Sequence, residues 1–168
     1  MLVPMSKPKA GVNRYLEDFK VGELIETEAF PLTRDSIVSF AEQYDPQDMH
    51  VDEELAKSTI FGELVGSGWQ TLLITLKLIL NTKRFGDTPL IGAGFKEVRF
   101  HHPTYPGDSL KVCAEIMDIR PSKHKADRGL MDVNVTTKTT TGTVIITQTW
   151  TLALPTKASV AASETAAN

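Results

Sequence analysis

The sequence predicts an α+β domain in which an antiparallel sheet wraps around one long buried helix. Two observations carry this reading. In residues 67–80, SGWQTLLITLKLIL, the side chains of Leu72, Leu73, Ile74, Leu76, Leu78, Ile79 and Leu80 run nearly all round a helix, which calls for burial on most sides. The second half of the chain is instead a series of strand-length segments with period-two alternation, separated by turn signals.

The elements follow in order. Residues 1–12 read as a flexible arm. Residues 21–32, VGELIETEAFPL, carry a short strand signal opened by Gly22 and ended near Pro31. Thr33 then fits a helix N-cap with Asp35 in the first turn, and Ile37, Phe40, Ala41 and Tyr44 share one helical face. Pro46 disfavours helical geometry for Asp45, so this helix should end there. After a loop, Asp52 caps a short helix over residues 53–57, and Ser67-x-x-Gln70 has the form of a capping box opening the apolar helix. Further strands are expected near residues 93–101, over 109–119 (Leu110, Val112, Ala114 and Ile116 on one face), around 131–136 and over 143–154. Thr141-Gly142 suggests a hairpin between the last two, and Pro103 to Asp108 forms a turn. The stretch 156–168 is Ala/Ser/Thr-rich and reads as a disordered tail, which leaves residues 13–155 as one domain.

An all-round apolar helix is hidden only if the sheet curls about it, the arrangement known as the hot dog fold. A single such sheet leaves open edges, so a homodimer that continues the sheet is expected, with a higher assembly of dimers open.

Composition narrows the function. A net charge of −3 argues against nucleic-acid binding, which needs a basic face. One cysteine, Cys113, rules out an internal disulfide framework and suits a reducing cytoplasm. The first residues, MLVPMSKPKAG, contain no apolar stretch of the signal-peptide kind. The apolar helix falls short of the ~20 residues of a membrane span, and Lys77 interrupts it.

Chemistry is expected where the loop meets that helix. Asp45 and His50 are separated by four residues on a segment able to curl, and Ser67-Gly68 opens a helix whose first amides are unpaired donors. An acid, a base and an oxyanion donor together are what adding water to, or removing it from, a double bond conjugated to a carbonyl requires. Taken singly, each residue has a plainer role: Asp45 as a turn former, His50 as a surface histidine, Ser67 as a helix cap, Asp52 as a cap and Asp48 as a solvated charge. His101 and His102, adjacent on a strand, should point to opposite faces, which argues against a metal site. Lys123, Lys125 and Arg128 form a solvated basic turn, although they could meet phosphates.

The ordered set FAEQYDPQDMHVDEELAKSTIFGELVGSGWQTL, followed by the F-x-x-P-x-x-P-G-D-x-L pattern from Phe100 to Leu110, resembles the MaoC-like family, which includes the (R)-specific enoyl-CoA hydratases. The resemblance covers most of the chain. It implies a hot dog fold, an acyl-CoA or acyl-carrier thioester substrate, and hydration or dehydration with no metal or redox cofactor. It further implies Asp45 and His50 as the catalytic pair and the Gly68 N–H as the oxyanion donor. Beside them Ser67 is read as a cap first and a substrate contact second, and Trp69 stands at the pocket mouth, which it would narrow. The chain departs from the family pattern in having Ser67 where many members have histidine, and Leu73 where a serine is common. The thioesterase reaction, also performed on hot dog folds, and non-catalytic thioester binding are the alternatives.

Overall fold

The computed structural model describes residues 13–87 and 90–159. The arm expected at 1–12 lies outside the described residues. In chain order the elements are a 3₁₀ turn (Leu16–Asp18), β1 (Leu24–Glu26), β2 (Phe30–Pro31), α1 (Arg34–Tyr44), α2 (Asp48–Val51), α3 (Glu53–Ala56), α4 (Gly68–Asn81), β3 (Ile91–Phe100), β4 (Ser109–Pro121), β5 (Arg128–Thr139) and β6 (Val144–Pro155). The strands form one antiparallel sheet in the order β1-β4-β5-β6-β3, with β2 beside β1 on β4. It is the hot dog arrangement, and α4 lies against its inner face.

That inner face is the one the alternation marks. Leu110, Val112, Ala114 and Ile116 of β4, and Met131, Val133 and Val135 of β5, are all buried together with Ile146, Trp150 and Leu152 of β6. A buried hydroxyl pair bolts α4 to this face: Thr75 Oγ1 donates to the helix carbonyl of Thr71 at 2.8 Å and lies 2.6 Å from Thr137 Oγ1. Both threonines are fully buried. Thr75→Val keeps the shape but strands the Thr137 hydroxyl, so it is expected to lower stability by about 1–3 kcal/mol, read as a lower urea midpoint at unchanged slope.

The single strand expected at 21–32 is two. Between them the Thr27 N–H donates to the Val112 carbonyl, while the Val112 N–H donates to Thr27 Oγ1 instead of a main-chain carbonyl. A side chain thus takes the place of a ladder acceptor and interrupts β1 from β2. The helix expected after Thr33 is α1, capped as anticipated by Thr33 and closed at Asp45. Its inward face is narrower than the spacing suggests: Ile37 and Ala41 are buried, whereas Tyr44 is 71% exposed and packs against Phe40 in a tilted pair with ring centroids 5.2 Å apart.

The expectation that α4 is buried on most sides is corrected. Ile74, Leu78 and Ile79 are buried, but so are the polar Gln70, Thr71 and Thr75. Trp69, Leu73, Leu76 and Leu80 form an exposed apolar stripe at i, i+4, i+7 and i+11. Gln70 Nε2, Thr71 Oγ1 and Thr75 Oγ1 each donate to a helix carbonyl there, whereas Gln70 Oε1 is buried without a partner among the described residues. The tail reading is also adjusted. Thr156 is buried, its Oγ1 donates to the Ala126 carbonyl, and the Lys157 N–H meets the Glu17 carboxylate. The rest of that tail, 160–168, lies outside the described residues.

Candidate active site

Pro46 holds Asp45 out of helical geometry, with φ −150° and ψ 64°, so α1 stops and the chain turns. The Gln47 N–H donates to the Asp45 carbonyl at 2.8 Å, and the Gln47 amide donates to Asp45 Oδ1 at 2.7 Å. Gln47 then precedes α2, where a loop was expected. One turn of helix, rather than a curling loop, carries the His50 ring inward until it is 5% exposed.

His50 Nδ1 lies 2.7 Å from the Val65 carbonyl oxygen. A carbonyl only accepts, so Nδ1 carries the hydrogen and any change of protonation takes place at Nε2. Nε2 lies 3.4 Å from Asp45 Oδ2. The passage before α4 is tied to the same turn, since the Val65 N–H donates to the Met49 carbonyl at 3.0 Å. From the other side Ser67 Oγ donates to Asp45 Oδ2 at 2.6 Å. Partial burial pushes the Asp45 carboxyl up, but the hydrogen bonds from Ser67 and Gln47, followed by the charge of His50, outweigh it and hold the group below its usual range.

Ser67 is the N-cap of α4, as expected, but the capping box is not made. Its Oγ accepts from the Trp69 N–H at 3.2 Å, and the Gln70 amide reaches across to the Ser36 carbonyl at 2.8 Å instead of back to Ser67. Tertiary contact with α1 takes the side chain that the local motif would have used.

A cleft of about 410 Å³ opens over the pair, bordered by Asp45, His50, Gly68, Trp69, Phe100 and Thr104 among others. Gly68 is the first residue of α4, so its N–H has no carbonyl acceptor within the helix. A Cβ there would stand 2.5 Å from Phe100 Cε1, which explains the glycine. Trp69 is 66% exposed at the rim. Gly66 is needed for a similar reason, because a Cβ would collide with the Thr104 hydroxyl. His101 and His102 both border this cleft, just past the end of β3 at Phe100. Each ring is bonded: His101 Nε2 lies 2.7 Å from Thr147 Oγ1, and His102 Nδ1 donates to the Val144 carbonyl at 2.8 Å. Among the described residues no group of three or more His, Cys, Asp or Glu could hold a metal ion.

Asp45, His50, Ser67 and Gly68 therefore converge, and Trp69 stands at their edge. The roles of Gln47 and of the Val65 carbonyl were not foreseen. Gln47 offered only a polar residue beside a proline, and a main-chain acceptor leaves no trace in sequence. Asp48 is exposed, and Asp52 caps α3 by accepting from the Glu54 and Leu55 N–H groups.

Comparison with known proteins gives four findings. A family model described as MaoC like domain matches residues 18–143. The uncharacterized protein YdeM of Bacillus subtilis (strain 168) is 34% identical over 122 residues, 73% of this chain and 85% of that protein. Among solved structures, a MaoC-like dehydratase from Rhodospirillum rubrum aligns at a TM-score of 0.78 and 32% identity, covering 86% of this chain and 99% of that one. The R-hydratase PhaJ1 from Pseudomonas aeruginosa shares the fold, with a TM-score of 0.64 and 23% identity over 86% of this chain and 88% of its own.

Proposed function

Because the chain belongs to the MaoC-like domain family, we propose that it is a hydro-lyase of the (R)-specific enoyl-CoA hydratase type, adding water to or removing it from the 2,3-bond of an acyl thioester. The observation that carries this reading is the pair Asp45 Oδ2 and His50 Nε2, 3.4 Å apart beside the first amide of α4.

In the hydration direction the Asp45 carboxylate takes a proton from water as its oxygen bonds to C3. The electrons of the double bond move onto the thioester oxygen, where the Gly68 N–H stabilises the developing charge. The Nε2–H of the His50 imidazolium then gives a proton to C2. Asp45 returns its proton to Nε2 across the short gap, which resets the pair. Asp45 is the base in this scheme because Ser67 and Gln47 both donate to it and favour its ionised form. The Val65 carbonyl occupies Nδ1, which leaves Nε2, 3.4 Å from Asp45 Oδ2, as the nitrogen that exchanges the proton.

The test is loss of the enoyl-thioester ultraviolet absorbance on mixing the protein with a short series of 2-enoyl-CoAs and their acyl-carrier counterparts. Wild-type turnover is the expected result. Release of free thiol from saturated acyl-CoA without hydration would move the site to thioester hydrolysis instead. The absence of any long apolar helix able to cross a membrane among the described residues and the lone cysteine are compatible with a cytoplasmic setting.

The partner proposed is a second copy. β3 is an end strand of the sheet, and Ile91, Phe95, Val98 and Phe100 on it are exposed, as is the α4 stripe of Trp69, Leu73, Leu76 and Leu80. An unpaired edge flanked by large apolar side chains is stable in water when a copy covers it. Phe95→Lys is expected to convert a dimer into a monomer, read by light scattering on a sizing column.

A further inference from the structure

We infer that Ser67 is a positioning residue that sets the catalytic base against the oxyanion donor, an inference that rests on the hydro-lyase reading above. The hydroxyl has one hydrogen, and it goes to Asp45 Oδ2 at 2.6 Å, a length in the range of charge-assisted O–H···O⁻ bonds. Its lone pair accepts from the Trp69 N–H, which makes the same oxygen the cap of α4. Ser67 is completely buried, so its hydroxyl makes both bonds away from solvent. Gln47 holds the other carboxylate oxygen, and the two donors together prevent the carboxylate from rotating.

The consequence is geometric. The residue next to Ser67 is Gly68, which borders the cleft and whose N–H has no acceptor within the helix, so one side chain fixes both the first turn of α4 and the orientation of Asp45. That task falls to a helix cap. Displacement of reacting groups by about 1 Å can cost on the order of 10² in rate.

Removal of the hydroxyl should therefore act on the chemical step and on the titration of Asp45. Ser67→Ala is expected to lower kcat on an enoyl thioester roughly 10- to 100-fold with KM little changed. The acid limb of kcat/KM should move to higher pH, because the lost bond favoured the ionised carboxylate and its pKa rises without it. Ser67→Gly separates this from capping, since glycine is tolerated at an N-cap far better than alanine. It should restore most of the thermal stability lost in Ser67→Ala and none of the rate. The carboxyl of Asp45 is followed directly by ¹³C NMR titration of the full chain in wild type and both variants, a readout that needs no turnover. An upward move in both variants supports the inference even if no enoyl thioester is hydrated, which would count against the hydro-lyase reading alone. An unmoved Asp45 titration, with rate loss that merely tracks stability, overturns it and leaves Ser67 as a cap.

Discussion

Asp45→Asn is expected to lower kcat/KM on a 2-enoyl thioester by a factor of roughly 10² to 10⁴, the range for a lost general base, while the protein stays folded. The substitution keeps the size of the side chain and one oxygen. That oxygen can still accept from Gln47 or from Ser67, so the site loses part of its hydrogen bonding and none of its packing. What disappears is the ability to take a proton from water. The asparagine variant should therefore retain the circular dichroism spectrum and bind an unreactive thioester analogue with nearly the wild-type affinity. A rate within a few-fold of wild type would remove Asp45 from the role of base.

His50→Ala should cost a comparable factor in rate and, unlike the first variant, stability as well. The ring is buried and its Nδ1–H satisfies the Val65 carbonyl, itself on a buried residue. Truncation leaves that acceptor unpaired and opens a cavity, with a combined expected loss of about 2–4 kcal/mol. Urea unfolding measures it. His50→Gln offers a donor to the same carbonyl and should recover much of that stability without recovering turnover. In the double variant Asp45→Asn, His50→Ala the rate should fall little below that of the slower single variant, because the two groups act on one proton relay. Multiplicative losses would show that they act independently.

Much of this architecture can be read before any coordinates. The inward residues of β4 and β5 follow from period-two alternation, because one face of an antiparallel sheet is dry and the other wet. The end of α1 at Asp45 follows from Pro46, and the caps Thr33, Asp52 and Ser67 from their hydroxyl or carboxylate acceptors. The misreadings have physical causes too. A helix of four residues, α2, is too short to leave a periodic signal, so His50 was expected on a loop. Which side of α4 is dry cannot be judged from apolar residues that surround it, and tertiary bonds let Gln70, Thr71 and Thr75 lie inside while Leu73, Leu76 and Leu80 lie outside.

The sequence by itself determined the fold class, the family and the place of the candidate pair, since these rest on local pattern: alternation, cap chemistry, the proline after Asp45 and an ordered motif. Only the tertiary structure decided how the pair is wired. The contacts that orient it run from Ser67 to Asp45, 22 residues apart, and from Val65 to His50, 15 apart, and one of those partners is a main-chain carbonyl that every residue type carries. Such bonds form only once the cap of α4 and the end of α1 have been packed together, so no local pattern announces them.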